Sequence, residues 1–232
     1  MKSFSLVIPA YNEEHRIGNT LKAYHSFLSK KYKDFEIIVV TDGITDGTEK
    51  ITGEIAARKG NIRLLKFKER LGKGGAVLKG FKAAKGDIIG FTDADSSVSP
   101  KEFNKLLLAL PDYDCVAGSR YAKGAIQLEK QPLEVRAASR AFNLIVNLLF
   151  GLDMKDTQCG GKVFSREILK KVVPKMVTTD FSFDVELLWR VDKIGRVKEE
   201  PLIWEHEADN SKSALRNSPR MFLSLIKARF SG

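Results

Sequence analysis

Two aspartates separated by one small residue carry the strongest chemical signal in this chain. Asp93 and Asp95 follow an apolar run that predicts a buried strand. Side chains at positions i and i+2 of a strand point to the same side, so both carboxylates start out aimed at one spot. Such a pair repels itself unless hydrogen-bond donors or a cation lie between the carboxylates. A hard divalent ion that also binds phosphate oxygens is the natural partner of such a pair. A polar turn that caps the next helix is the plainer alternative.

The turn after the first predicted strand combines an aromatic ring with polar groups. In residues 9–13 (PAYNE), Tyr11 is placed to pack beside a base, and Asn12 and Glu13 are placed to hydrogen-bond it. The second predicted strand ends at Asp42, whose carboxylate suits a base N–H or a ribose hydroxyl. Taken alone, each of these turns fits an ordinary connection at the end of a strand better than a binding site.

A glycine-rich turn precedes the third predicted helix. Residues 70–75 (RLGKGG) combine glycines, which let the backbone approach a ligand, with Lys73 at a helix N-terminus, where an anion is favoured. The turn is not a P-loop, because the spacing and the Ser or Thr are missing. All four turns fall at the carboxyl ends of predicted parallel strands, where open α/β sheets bind ligands. Their convergence favours a nucleotide-diphosphate site with a metal over four unrelated turns.

The elements that must position these side chains alternate along the first half of the chain. The predicted strands lie at 4–8, 35–41, 62–67, 88–93 and 114–119, and the predicted helices lie at 13–29, 46–59, 75–85 and from Ser99 onward. This alternation predicts an α/β fold with a mostly parallel central sheet and helices on both faces.

The pattern is looser in the second half. It predicts a mobile loop at 121–131 and a long helix at 132–150. A short strand at 161–164, a helix at 183–193 and a strand at 197–204 follow. No repeat or low-complexity linker interrupts the chain, so we predict one catalytic domain over residues 1–210 and a C-terminal appendage over residues 211–232.

Composition limits the class of protein. The 232 residues include 43% hydrophobic and 29% charged side chains, which fits a single soluble α/β domain. The formal net charge of +10 favours anionic partners such as nucleic acid, acidic lipid or a phosphorylated substrate. Cys115 and Cys159 lack metal-ligand spacing and are typical of reduced thiols in a cytosolic protein. No signal peptide is apparent, and the longest apolar stretch, 141–152, is too short and polar to span a bilayer.

Several of these motifs, in the same order, resemble the family 2 glycosyltransferases with the GT-A fold. The motifs are residues 7–13 (VIPAYNE), 39–43 (VVTDG), 72–74 (GKG) and 93–95 (DAD). Three later segments are similar to the dolichyl-phosphate glucose and mannose synthases, namely 156–164 (DTQCGGKVF), 183–188 (FDVELL) and 211–212 (SK). The resemblance covers nearly the whole chain.

The resemblance implies an inverting, metal-dependent hexosyltransferase with Mg²⁺ or Mn²⁺ as cofactor. It implies transfer of glucose or mannose from UDP-glucose or GDP-mannose to a dolichyl or other polyprenyl phosphate, with UDP-glucose slightly favoured. The enzyme would be cytoplasmic and peripheral, acting at the cytoplasmic face of the membrane.

The resemblance also implies roles for individual residues. Asp93 and Asp95 would bind the metal, Asp95 more directly. Arg120 and Arg140 would meet the acceptor or donor phosphates and complete the catalytic set. The nucleotide would be held at the strand ends and by one residue of the tail: Pro9, Tyr11, Glu13, Asp42, Lys73, Asp93 and Lys212.

The chain departs from the family pattern at two positions where the resemblance implies donor contacts. Thr41 precedes Asp42 where a second acidic residue is usual, and Gly161 stands where an aromatic is common in the glucose-type enzymes. A separate question concerns Asp184 and Glu186, which lie at i and i+2 of a predicted helix and cannot share a face. One is expected to point into the site, with the other structural, and the spacing leaves open which.

The C-terminal tail is basic and amphipathic. Residues 211–232 contain no acidic residue, and Phe222, Leu225, Ile226 and Phe230 recur at helical spacing. This predicts a helix at 219–230 that suits an anionic membrane surface, with docking on the protein core an equally good alternative. The apolar stretch at 141–152 is a second candidate for contact with the membrane.

Two other functions stay open. One is a soluble family 2 transferase that acts on a saccharide acceptor. The other, from a different class, is a basic protein that binds nucleic acid. The acidic cluster and the lack of a basic stripe interleaved with aromatic residues argue against it, so we expect no nucleic-acid partner.

Overall fold

A computed structural model describes residues 2–128, 133–205 and 211–231, with residues 211–220 described by their helical backbone alone. The strands are β1 (Phe4–Ala10), β2 (Phe35–Asp42), β3 (Ile62–Phe67), β4 (Ile88–Phe91), β5 (Cys115–Ser119), β6 (Ile126–Gln127), β7 (Lys162–Ser165), β8 (Val197–Pro201) and β9 (Ile203–Trp204). The helices are α1 (Ile17–Lys31), α2 (Thr48–Arg58), α3 (Gly72–Ala83), α4 (Pro100–Ala109), α5 (Leu133–Phe150), α6 (Arg166–Val172), α7 (Phe183–Asp192) and α8 (Ser211–Phe230).

Seven of the described strands form one central sheet in the order β3-β2-β1-β4-β7-β5-β8. Strands β3, β2, β1 and β4 pair in parallel, as do β5 and β8, whereas β7 runs antiparallel between β4 and β5. The prediction of a mostly parallel sheet is confirmed. The carboxyl ends of β1, β2 and β4 therefore lie side by side along one edge, which places their polar turns next to each other.

Helices cover both faces of the sheet, because its central strands are apolar on both sides. Leu6 and Ile8 of β1 belong to one buried cluster, and Val7 between them belongs to the cluster on the opposite face. Helix α3 lies close against this second face, since a Cβ on Gly80 would come 3.2 Å from Cγ2 of Val40. This close packing fixes the first turn of α3 beside the carboxyl edge of the sheet.

A third cluster joins the C-terminal helix to the rest of the protein. Leu225 of α8 is fully buried and packs with Val146 of α5 and Trp189 of α7. The C-terminal helix is thus docked on the protein core, which is one of the two alternatives predicted for the tail. The opposite side of α8 exposes Phe222, Leu223, Ile226 and Phe230. Across the described part of the chain, no helix combines the length and apolarity needed to cross a bilayer.

The structure differs from the predicted elements mainly in the second half. The strand predicted at 197–204 is divided, because the chain leaves the central sheet after Pro201 and β9 pairs with β6 instead. Strand β6 lies inside the segment predicted as a loop at 121–131, and a two-residue strand has too little periodicity to be detected. Helix α8 begins at Ser211, so Pro219, which was expected to start the helix, lies inside it.

Candidate active site

The two aspartates of the DAD motif lie in the turn that follows β4. Oδ1 of Asp93 lies 2.6 Å from Nζ of Lys73, in the first turn of α3. Oδ1 of Asp95 accepts a hydrogen bond from the backbone N–H of Ser97 at 2.9 Å. The turn itself is held by α1, where the Thr20 hydroxyl donates to the Ala94 carbonyl at 2.6 Å. The carboxylates thus have the fixed setting that a binding site requires.

Lys73 is held in its charged form by its neighbours. Burial alone would lower the pKa of Lys73, but the carboxylates of Asp93 and Asp184 more than offset this and raise its pKa above the usual value. An ammonium fixed beside two carboxylates at the start of a helix is well placed to bind phosphate oxygens.

Glu13 is a partly buried carboxylate that feels the charges of Asp93 and Asp95. Burial raises the pKa of Glu13, Asp95 and Asp93 raise it further, and its ion pair with Arg16 only partly opposes them.

The described residues contain no group of three or more side chains able to hold a metal by themselves. Mg²⁺ in phosphate-binding sites is typically held by one or two carboxylates together with substrate oxygens, so Asp93 and Asp95 fit such an ion.

Asp42 shapes the glycine-rich turn. Its buried carboxylate accepts hydrogen bonds from the backbone N–H groups of Leu71 at 2.8 Å and Gly72 at 2.9 Å, and it pairs with Arg70. The guanidinium carbon of Arg70 lies 3.4 Å from the ring centroid of Tyr11. The structure therefore joins two sequence motifs through Arg70, which the sequence analysis did not single out. A nucleoside role for Asp42, beyond this turn, stays a prediction.

The first turn is tied to the turn after β2. Asn12, expected beside a base, instead accepts a hydrogen bond from the backbone N–H of Thr45 at 2.9 Å and donates to the Thr45 hydroxyl at 3.1 Å. Pro9, at the end of β1, pairs with Val40 of β2. Together with Tyr11, these residues lie at the carboxyl edge of the sheet.

Arg120 is engaged by a buried carboxylate. Its Nε lies 2.7 Å from Oδ2 of Asp156 and its Nη2 lies 2.9 Å from Oδ1. Although burial alone would raise the pKa of Asp156, the Arg120 guanidinium holds it below the usual value. Arg140 of α5 is exposed, and its guanidinium carbon lies 5.9 Å from the ring centroid of Tyr121, which Arg120 also approaches at 5.4 Å. The two arginines thus flank one tyrosine, and Arg140 is the more accessible cation.

The structure separates the roles of Asp184 and Glu186. Asp184 is buried with Lys162, whose Nζ lies 2.7 Å from its Oδ1, and it also acts on Lys73. Glu186 accepts hydrogen bonds from the backbone N–H of Thr178 at 2.8 Å and from Nε of Arg190 at 2.8 Å. Asp184 is therefore the one next to the site, and Glu186 holds a neighbouring segment.

The two positions that depart from the family pattern contact the protein interior. The Thr41 hydroxyl is buried and donates to Glu49 at 2.9 Å. A Cβ on Gly161 would point to Val98 at 3.2 Å and Leu106 at 3.4 Å, both in the core. The role of these two positions in donor binding stays a prediction. Lys212, expected over the diphosphate, lies outside the residues whose side chains are described.

Comparison with known proteins identifies the family. The model described as "Glycosyl transferase family 2" matches residues 5–173, and the chain belongs to this family. It is 34% identical to glycosyltransferase AglD of Haloferax volcanii over 92% of this chain and 35% of that protein, so it spans about a third of that relative. It is 32% identical to dolichyl-phosphate beta-glucosyltransferase of Dictyostelium discoideum and 34% identical to that of Saccharomyces cerevisiae, in each case over 97% of this chain and 73% of the relative.

Solved structures confirm the GT-A fold. The chain is similar to glucosyl-3-phosphoglycerate synthase of Mycobacterium tuberculosis in complex with Mn²⁺, UDP and phosphoglyceric acid, with a TM-score of 0.74 and 20% identity. The likeness covers 99% of this chain and 79% of that one.

Proposed function

We propose that this chain transfers a hexose, with inversion, from a nucleotide sugar to a dolichyl or other polyprenyl phosphate, and that UDP-glucose is its donor. The observation that carries the proposal is the contact between Lys73 and Asp93 at the carboxyl edge of the sheet, beside Asp95. The names of the relatives from Dictyostelium and yeast support the lipid phosphate and the glucose. The acceptor, the donor and the metal are parts of the proposal. So is the division of the chain into a catalytic domain over residues 1–210 and a C-terminal appendage over residues 211–232.

The donor would lie along the strand ends. Tyr11, with Arg70 against its ring, would pack beside the base, and Lys73 would bind the diphosphate. Asp93 and Asp95 would hold Mg²⁺ or Mn²⁺, a fit supported by the two carboxylates that follow β4 at the carboxyl edge of the sheet. When bound, such an ion stabilises the negative charge that develops on the leaving nucleotide.

The acceptor needs positioning more than it needs a base, because a phosphate monoester is already anionic near neutral pH. One of its oxygens would attack the anomeric carbon while the bond from that carbon to the nucleotide breaks, and the nucleotide leaves with the electron pair. Exposed Arg140 is suited to orient the incoming phosphate. Arg120 would contribute through its contact with Tyr121 and through any guanidinium N–H that Asp156 does not accept.

An anionic membrane surface is the proposed setting, at the cytoplasmic face. Helices α5 and α8 pack side by side on α7, and each turns large apolar residues outward, including Leu148 of α5 and Leu223 and Phe230 of α8. Lys227 and Arg229 lie on the same helix as these α8 residues, which suits a surface of acidic lipid. These exposed faces favour the lipid acceptor over a saccharide acceptor, the second candidate.

The test combines donor binding with transfer. UDP-glucose with Mg²⁺ or Mn²⁺ should stabilise the protein against heat, and labelled glucose should pass to polyprenyl phosphate and not to oligosaccharides. Ligand at one hundred times its dissociation constant adds about 2.7 kcal/mol to the free energy of unfolding. Asp95→Asn, which keeps the acceptor for Ser97, should abolish transfer without lowering the melting temperature. Transfer to a saccharide, or a shift with GDP-mannose alone, would reject the corresponding part of the proposal.

A further inference from the structure

Phe181 is an exposed aromatic ring at the border of the charged site. Its relative exposure is 39%, and its ring centroid lies 6.0 Å from Nζ of Lys73. Its carbonyl accepts a hydrogen bond from Nε2 of Gln158 at 3.1 Å, within the segment that resembles the lipid-phosphate transferases. The backbone at Phe181 is thus fixed, while its ring faces solvent beside a cation.

The segment that carries Phe181 packs directly on the glycine-rich turn. The carbonyl of Thr179 accepts a hydrogen bond from the N–H of Gly75 at 3.0 Å. A Cβ on Gly72 would come 2.6 Å from this same oxygen, and a Cβ on Gly74 would come 2.9 Å from the Asp180 carbonyl. Because Gly72 and Gly74 have no side chain, the backbone of residues 179–180 can pack closely against the turn that carries Lys73. This packing brings Phe181 close to Lys73.

A second link ties this segment to the C-terminal helix. Oδ2 of Asp180 accepts a hydrogen bond from the hydroxyl of Ser224 in α8 at 2.7 Å. The residues on either side of this contact in α8, Phe222, Leu223 and Ile226, are exposed apolar side chains. Phe181 consequently stands between a phosphate-binding cation and an apolar helix surface.

We infer that Phe181 receives the first isoprene units of the acceptor, whose chain then runs toward the outer face of α8. The inference deepens the proposed function and rests on it. In a polyprenyl phosphate, a single ester bond joins the anionic phosphate to the apolar isoprene chain. The attacking phosphate must lie beside the sugar that is bonded to the diphosphate at Lys73. The first carbons of its chain therefore emerge close to the Phe181 ring, whose centroid lies 6.0 Å from Nζ of Lys73.

The test compares Phe181→Ala and Phe181→Gln with Phe181→Leu. Losing the apolar contact should raise the KM for polyprenyl phosphate about tenfold in the first two variants, with kcat little changed. Phe181→Leu should stay near wild type, because it keeps an apolar side chain. Leu108→Ala removes an exposed apolar residue from α4, a helix outside the proposed site. It serves as the control and should have no effect.

A donor measurement separates this role from contact with the sugar. The thermal stabilisation by UDP-glucose relative to UDP should be the same in Phe181→Ala and wild type. If that difference shrinks, Phe181 touches the hexose and the inference is overturned. An unchanged KM for polyprenyl phosphate in both Phe181→Ala and Phe181→Gln would overturn it as well. Failure of the wild-type protein to transfer to polyprenyl phosphate would instead reject the proposed function itself.

Discussion

Lys73 and Asp93 meet at the carboxyl edge of the sheet, with 2.6 Å between Nζ and Oδ1. Asp184 is buried and forms an ion pair with Lys162. Its carboxylate also raises the pKa of Lys73. The pair lies where the donor diphosphate and its ion are proposed to bind, so the ammonium and Asp93 would exchange this contact for contacts with the ligand. Lys73 would then neutralise phosphate charge, and Asp93 would become available to the ion.

The first prediction concerns this ammonium. Lys73→Met should weaken UDP binding by about 10- to 100-fold, the worth of a charge-assisted hydrogen bond, and should reduce transfer at least as much. Lys79→Met, in the same helix, is the matched control, because Lys79 lies against the Phe67 ring at 5.5 Å and should not touch the nucleotide. Titration calorimetry with UDP and Mg²⁺ measures the difference. Equal affinities for the two variants would show that Lys73 does not bind the diphosphate.

The second prediction uses two adjacent glycines. A Cβ on Gly160 would collide with Oδ2 of Asp93 and come 2.7 Å from its Cγ, whereas a Cβ on Gly161 would meet only Val98 and Leu106. Gly160→Ala should therefore displace Asp93 and abolish most transfer. Gly161→Ala should cost about 1–3 kcal/mol of stability through crowding of the core, with activity per folded molecule retained. Urea unfolding and transfer assays on both variants check the contrast, and equal loss of activity would remove the special role of Gly160.

Sequence patterns located the first five strands to within two residues at each end, because apolar runs and the turns that follow them are local signals. Ser99 is an example, since a helix is predicted from this residue onward and its hydroxyl accepts from the N–H of Glu102 as the cap of α4. Partners distant in sequence gave no such signal. The Asp156 that occupies Arg120 lies 36 residues away, and the contact of Arg70 with Tyr11 joins two separate turns. Such pairings are decided by packing, which the spacing of residues does not encode.

The third prediction concerns the buried pair of Lys162 and Asp184. Both side chains are almost fully inaccessible, with 2.7 Å between Nζ and Oδ1. Lys162→Met leaves the carboxylate unpaired and should destabilise the protein by about 3–5 kcal/mol, whereas combining it with Asp184→Asn should recover much of that loss. Urea unfolding of the two single variants and the double variant gives the coupling energy. Additive losses would mean that the two charges do not stabilise each other.

The last prediction separates the two sides of α8. Leu223 is 68% exposed on the outer side, whereas Leu225 is fully buried against α5 and α7. Leu223→Gln should reduce sedimentation with anionic vesicles and leave the melting temperature unchanged. Leu225→Ala should cost about 2–5 kcal/mol of stability through the cavity it creates.

Deleting the helix would mix these effects, so point variants give the cleaner test. Basic residues near an acidic surface contribute about 1 kcal/mol each, and salt screens this attraction. Binding that depends on Lys227 and Arg229 should therefore fall as the salt concentration rises. Sedimentation of Leu223→Gln equal to wild type at low salt, on vesicles with and without acidic lipid, would assign α8 a purely structural role.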